Sequence, residues 1–308
     1  MSSPLPHRDG VAPSFLWLPC ESWPDLLTYL IARFPHVGEE ILRARLQRGE
    51  LVDETGRPQG LDAPYVAGSR IWYYREVPDE TPVPFEAHIL HRDERLLVVD
   101  KPHFLSMIPA GRHLRETLLS RLRHQLDLPE LTPCHRLDRE TAGVAMFCLH
   151  PPSRGAYQKL FEARAVSKVY EAVAPWREAL ALPLVHRSRL EEGQGFFSMQ
   201  EVDGEPNSET LVELIARHGE LAHYRLSPHT GRKHQLRAHM AALGIPILHD
   251  PWYPVLLPDK GDDFSRPLQL LARTLAFKDP YTGEARCFES RRGLVALSEG
   301  SSSPRESE

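Results

Sequence analysis

The sequence is short of most features that announce a class of chemistry. Its 308 residues include only four cysteines, Cys20, Cys134, Cys148 and Cys287. No two of them form a C-x-x-C pair, so neither a zinc knuckle nor a disulfide framework is signalled, and a reducing, cytoplasmic setting is expected. No apolar run approaches the roughly 20 residues needed to cross a bilayer. The N-terminal stretch "MSSPLPHRDGVAPSFLWLPC" lacks a basic start followed by a long apolar segment, so no signal peptide is expected. The phosphate-cradling patterns G-x-x-x-x-G-K and G-x-G-x-x-G are absent, as is the G-x-S-x-G nucleophile elbow. Nothing therefore points to a nucleotide triphosphate or a dinucleotide cofactor. There is no internal repeat.

Positive charge is also in deficit. With 37 Lys+Arg against 42 Asp+Glu, the formal net charge is −5, which argues mildly against a nucleic-acid partner. The distribution counters the sum. Between Leu221 and His249 stand Arg225, Arg232, Lys233 and Arg237 with no acid among them, while acids gather in residues 191–213 and 259–263. A basic face on an acidic protein is compatible with this, although charge runs more often only solvate a surface.

The length fits about two domains, and 41% hydrophobic residues fits a folded chain. Residues 1–21 read as a tail. Residues 22–78 read as a small domain. In "SWPDLLTYLIARF", Ser22 is the expected N-cap, and Leu26, Leu27, Leu30 and Phe34 form one stripe. "GEEILRARLQRGELV" predicts a second helix with Ile41, Leu42 and Leu46 inward, Arg43, Arg45 and Arg48 more outward, and Gly49 as terminator. The Pro-rich, acidic stretch at 79–85 reads as a linker. A larger domain spans 86–290, with a strand at "RLLVVDKP", an amphipathic helix at "RHLRETLLSRLRHQL" and a central strand at 144–149. Residues 291–308 read as a disordered tail.

Three stretches carry candidate chemistry. "CHRLDRETAG" (134–143) places Asp138 among bases at the mouth of an apolar run. A carboxylate that is partly desolvated there would take up a proton unless a guanidinium kept it charged. On this stretch alone a fold-holding salt bridge is the better reading. "LSPHTGRKHQLRAHMAALGIP" (226–246) is a turn and then a helix, with Arg237 one position off the apolar stripe of Leu236, Met240 and Leu243. His229, His234 and His239 recur every five residues. That spacing turns each by about 140° on a helix, so the three cannot converge on a metal. In "SKVYEAV" (167–173) a period of two puts Lys168 and Tyr170 on one face.

Taken together, "LLVVDKP" (96–102), "HRLDRETAG" (135–143), "SKVYEAV" (167–173) and "LSPHTGRKHQLRAHMAALGIPI" (226–247) resemble the motifs of the RluA-type pseudouridine synthases, in the family's order and over residues 86 to about 290. Residues 22–78 resemble the alpha-L RNA-binding module that often precedes such a domain. The resemblance implies an α+β fold with a mixed, largely antiparallel sheet, flanking helices and a central cleft. It implies that Asp138 is the catalytic acid, that Arg237 pairs with it, and that Tyr170 packs on the target base and is a candidate for proton removal. Arg136 would enter the space vacated by a flipped uridine. Lys168, Arg232 and Lys233, with Arg43, Arg45 and Arg48 of the small module, would hold RNA. The expected partner is ribosomal RNA ahead of transfer RNA, and the expected state is a monomer with no cofactor, no metal and no membrane contact.

Three positions depart from the family's habit: Ala142 where Ser is usual, His249 before Asp250 where Gly is frequent, and Leu271 where His is common. Two rivals compete with the synthase reading. One is a non-catalytic RNA-binding or ribosome-assembly factor. The other is a glycosidic hydrolase, which needs two acids flanking the bond; here Glu140 is the nearest partner for Asp138.

Overall fold

The N-terminal apolar stripes do produce two helices and a small sheet. In the computed structural model, residues 3–76, 79–193, 198–258 and 261–294 are described. They divide into two units, the first comprising Met1–Glu80 with residues 111–115 and 120–129, the second the remainder. In the first unit β1 (Ser14–Trp17), α1 (Leu26–Arg33), α2 (Glu39–Gln47), β2 (Leu51–Val52) and β3 (Arg70–Tyr73) follow in order. The sheet is antiparallel, with β3 between β1 and β2. Leu18, Leu26, Leu30, Leu42, Leu46 and Ile71 form its core.

Several expectations shift here. Residues 14–17 are strand and Leu18 is core, so the segment read as a tail is part of the unit. Asp25, not Ser22, caps α1: its carboxylate accepts the Thr28 N–H at 2.7 Å, a cap one turn closer to the stripe. Ile41 is 48% exposed, whereas Arg45 points inward and donates to the Tyr74 carbonyl. Gly49 does terminate α2, with φ +67°.

The second unit continues with β4 (His88–Arg92), β5 (Leu96–Lys101), α3 (Leu118–Leu126), which begins in it, β6 (Thr132–Pro133), β7 (Ala142–Cys148), α4 (Arg154–Glu162), β8 (Ser167–Pro175), β9 (Leu184–Glu192), β10 (Met199–Val202), β11 (Ser208–His218), β12 (Leu221–Pro228), α5 (Gln235–Ala242), β13 (Leu270–Lys278) and β14 (Ala285–Glu289). Eleven strands share one sheet in the order β10-β9-β11-β12-β8-β13-β7-β5-β4, with β14 added to β13 and β6 to β7. Every pairing is antiparallel except β13 with β7. The mixed, largely antiparallel sheet with flanking helices is thus as the family resemblance implies.

Strand β7 is buried at all seven positions, which is why it reads as one unbroken apolar run. Its Val144 and Met146 pack with Leu96, Val98 and Phe277 of the neighbouring strands and with Tyr157 of α4. Leu236 and Met240 of α5 pack on Ala172, Tyr224, Leu226 and Leu270. The late strand β13 lies between β8 and β7 and joins the two wings of the sheet.

The C-terminal expectation also shifts. Leu294 is 4% exposed, and the Asp100 carboxylate accepts the Ser290 hydroxyl and the Arg291 N–H, so residues 291–294 are anchored to the unit. Residues 295–308 lie outside the described residues. Glu80, within the stretch read as a linker, accepts the N–H groups of Leu114 and Arg115, and the division between units falls after it.

Candidate active site

A cleft of about 550 Å³ opens in the second unit. The segment between β6 and β7 brings Arg136 and Asp138 to it, β8 brings Lys168 and Tyr170, and the turn before α5 brings Arg232, Lys233 and His234, with Arg237 from the helix itself. Seven of these, all but His234, are among the ten residues expected from the sequence to act in catalysis or to hold RNA, and they line one cavity. The other three, Arg43, Arg45 and Arg48, belong to the first unit and are ion-paired there, Arg43 with Glu39 and the other two with Glu50. Glu140 is buried against Arg139 and does not line the cleft, which leaves the hydrolase reading without its second acid at that place.

Arg237 is the geometric centre. It is 1% exposed, and its Nε and Nη2 donate to the two oxygens of Asp250 at 2.8 and 2.6 Å. Its remaining Nη1 donates to Asp138 Oδ2 at 3.3 Å. The guanidinium is flanked by Trp252 and Tyr253, whose ring centroids are 4.9 and 5.3 Å from it. The firm partner of Arg237 is therefore Asp250, and Asp138 takes the third, longer bond. Burial works against the charge on Arg237, while the two carboxylates more than offset it and hold the group protonated. Asp250 also accepts the Trp252 and Tyr253 N–H groups, which fixes the loop that carries both rings.

Asp138 is about one-third exposed. Its Oδ2 faces Arg237 and, at 3.8 Å, His234 Nε2; its Oδ1 has no hydrogen bond among the described residues. His234 sits in the left-handed region (φ 52°) as the cap of α5. Burial first of all lowers its pKa to about 4, so the imidazole is neutral at pH 7. Tyr253 Oη accepts the Met199 N–H and lies 3.1 Å from His234 Nδ1. If the phenol proton goes to Nδ1, the imidazole N–H is at Nε2, facing Asp138. Gln235 uses all four of its hydrogen-bonding positions, with Thr230, Arg232, Glu209 and Thr210, and so pins the turn before the helix.

Tyr170 is half-buried, and desolvation of its hydroxyl together with the Asp138 charge pushes that group well above the usual phenol range. At neutral pH it is a phenol. Lys168 Nζ donates to the Thr230 carbonyl at 3.2 Å, so it braces the turn as well as lining the cleft. Arg136 is exposed, and no ion pair engages it among the described residues. His135 accepts the Met146 N–H at 3.1 Å and stacks on Phe161, a structural part for a residue the motif alone left without one.

Two further residues escaped sequence reasoning. Lys101 is fully buried and donates to the carbonyls of Pro102, Leu105 and Arg139, the last of them next to Asp138. Burial lowers its pKa to about 7, but three carbonyl acceptors need three N–H donors, which only the ammonium supplies. The signal in sequence was a lysine that, with Asp100, ends the apolar run at residues 96–99. Asp250 was visible only as the second half of a departure from the Gly-Asp pattern. His249 before it has φ +63°, a conformation that favours glycine, and its Nδ1 lies 3.2 Å from the Pro267 carbonyl. The other two departures meet: Leu271 and Ala142 are register partners across β13 and β7, buried with Val173 and Leu294. Both side chains are apolar and cannot hydrogen-bond to the Asp138 carboxylate, so they fill the floor of the sheet.

His186, Glu201 and His239 are close enough to share a metal ion. His239 already engages Ser188, Ser208 and Thr210 through its two ring nitrogens, and His186 lies 2.7 Å from Glu201, so the group is satisfied as it stands.

Against known proteins, a family model described as RNA pseudouridylate synthase matches residues 95–242. The dual-specificity RNA pseudouridine synthase RluA of Pasteurella multocida is 31% identical over 217 residues, covering 66% of this chain and 91% of that protein. The mitochondrial tRNA pseudouridine(32) synthase of Saccharomyces cerevisiae is 28% identical over 243 residues, covering 76% of this chain and 51% of that protein. Among solved structures, human RNA pseudouridylate synthase domain containing 4 is similar, with a TM-score of 0.52 and 26% identity over 69% of this chain and 90% of that one.

Proposed function

The chain belongs to the RNA pseudouridylate synthase family and is an isomerase acting on RNA; from that premise we propose that Asp138 is its working group and that the cleft takes up a flipped uridine. The observation that carries the reading is the Asp138 carboxylate, tied on one oxygen to the buried Arg237–Asp250 pair and free on the other, at a cleft that presents Arg136, Lys168, Arg232 and Lys233. The reaction breaks a uridine's glycosidic bond and rejoins the base through carbon 5. The bases and acids required are already side chains, and nothing is oxidised or reduced overall.

The uridine must first leave its stack, at a cost of a few kcal/mol. Arg136, exposed and without an ion pair among the described residues, would stack in the gap or meet the orphaned partner base. The other cations would meet phosphates, so affinity should fall with salt. Arg237 is held near Asp138: its two other nitrogens are bonded to Asp250, and its guanidinium lies against the Trp252 and Tyr253 rings. Asp138 is therefore aimed before substrate arrives, which is the form of preorganisation that lowers barriers most.

Tyr170 would pack against the base. Its phenol is held protonated partly by the Asp138 charge. When that carboxylate engages the substrate and loses charge, the restraint is relieved, and Tyr170 becomes better able to exchange the carbon 5 proton. On this reading the acid acts first and the phenol second.

The test is Asp138→Asn assayed by tritium release from uridine-labelled total RNA. Turnover should vanish while RNA affinity stays within about tenfold, since shape is kept and charge is lost. Residual turnover above about 1% would remove Asp138 from the role. Mapping pseudouridines in ribosomal and transfer RNA fractions of cells with and without the gene identifies the substrate. An unchanged map, with no turnover by the wild type, would favour the non-catalytic RNA-binding reading.

A further inference from the structure

In the first unit, the arginines of α2 do not offer the charge that an RNA surface needs. Arg43 is bonded to Glu39, Arg45 to Glu50 and the Tyr74 carbonyl, and Arg48 to Glu50 with Glu76 nearby. A different surface has both free charge and flat rings. Alternation along β1 sends Leu16 to the core and leaves Phe15 and Trp17 on the outer face, 52% and 47% exposed. Across the ladder Trp17 is opposite Arg70 and Phe15 opposite Trp72. The Arg70 guanidinium lies 5.2 Å from the Phe15 ring and 5.4 Å from the Trp17 ring. Its Nε is buried with no hydrogen-bond partner, and no carboxylate pairs with it among the described residues.

Two large rings exposed side by side on a strand, with an uncompensated cation between them, are costly to leave bare and hard to explain as packing. Trp72, 7% exposed, backs Phe15 at 5.1 Å between centroids and holds that ring in place. A base presents a π-face to an aromatic ring and a phosphate to a guanidinium, so single-stranded nucleic acid satisfies both halves of this surface at once. An apolar protein partner would use the rings but leave the Arg70 charge uncompensated.

We propose that Phe15, Trp17 and Arg70 form a stacking site for single-stranded RNA, in which bases lie on the two rings and Arg70 meets the backbone between them. This rests on the reading that the chain acts on RNA, and it moves the RNA contact of this unit from the helix arginines to the outer face of the sheet.

The test measures binding of a fluorescein-labelled single-stranded oligouridine to the full chain by anisotropy over a range of salt. Phe15→Leu/Trp17→Leu keeps apolar bulk and removes the π-faces; affinity should drop about tenfold or more. Trp17→Tyr should stay within about threefold, since stacking tolerates any aromatic ring. Arg70→Gln should reduce the slope of log affinity against log salt by about 0.7. Arg43→Gln/Arg48→Gln should change affinity less than twofold, about the scale of an exposed pair. The proposal is overturned if the double leucine variant binds like wild type, if wild type does not bind the oligonucleotide, or if the helix variant has the larger effect. It is overturned as well if wild type sediments as a dimer that the leucine variant dissolves while affinity is unchanged, because the face would then join two copies. Tritium release by wild type on total RNA, run in parallel, reports separately on the family reading.

Discussion

Arg237→Met removes the side chain that bonds both Asp250 and Asp138. The methionine fills much of the same volume, so the main change is electrostatic. Asp250 would keep the N–H groups of Trp252 and Tyr253 but lose two charge-assisted bonds, with its side chain fully buried. Leaving one member of a buried pair uncompensated costs about 3–5 kcal/mol. A protein of ordinary stability has about 5–15 kcal/mol in all. At about 2–4 °C per kcal/mol for a unit of this size, the melting temperature should fall by about 6–20 °C. Adding Asp250→Asn to the same chain removes the stranded charge while keeping an acceptor for the two backbone donors. Stability should then return to within about 2 kcal/mol of wild type. Turnover should not return, because Asp138 still lacks its buried donor. Urea midpoints and single-turnover rates on the two variants separate the effects. A single variant within 1 kcal/mol of wild type, or a double variant that recovers turnover, would refute the reasoning.

Three other outcomes follow from the site and its floor. Burial lowers His135, His234 and His239 to about 4, below their unfolded value near 6.5. The folded state thus binds fewer protons, and stability should be full above about pH 6.5 and fall by several kcal/mol toward pH 4, read from urea midpoints; a flat profile over that range would exclude the buried, neutral state of these rings. Tyr170→Phe should keep RNA affinity within about threefold and lower turnover by about 10²-fold or more; turnover within twofold of wild type would leave the phenol a packing surface only. Ala142→Ser places a hydroxyl among Val173, Leu271 and Leu294 and should cost about 1–3 kcal/mol. Combined with Leu271→His, its register partner, the cost should fall at least about 1 kcal/mol short of the sum; strict additivity in the denaturation midpoints would show that the two departures are independent.

What could be read from the chain divides by range. Local periodicity was enough for α1 and α2, for β7 with seven buried positions, and for the shared face of Lys168 and Tyr170. Local patterns were weaker at ends and on half-buried faces. Ser22 and Asp25 are both cap residues, and only the reach of the Asp25 carboxylate to Thr28 decides between them. Arg45 sits at a position that α-helical spacing alone places near solvent, and a carbonyl 29 residues away draws it inward. The long hairpin of β11 and β12 went unread because its charged positions interrupt the alternation. In the site, Asp138 and Arg237 stood out as charges inside apolar context, and their meeting across 99 residues was implied only by family resemblance. Asp250 and Lys101 bond through tertiary contacts that no periodicity encodes.

The placement of β13 has a consequence for the birth of the protein. On one side of it lies the wing of β7, β5 and β4, which carries the Asp138 segment; on the other lies the wing from β8 to β10, which carries Tyr170 and, after β12, the helix of Arg237. Both wings are synthesised before the strand that joins them. A nascent chain can pair β4, β5 and β7 early and β8 through β12 later, but until Leu270–Lys278 is available it holds two half-sites rather than a cleft. Competence to modify RNA therefore arrives late in translation and all at once, and a chain stalled after the family-matched region ending at residue 242 has every named cleft residue but no strand to join its wings.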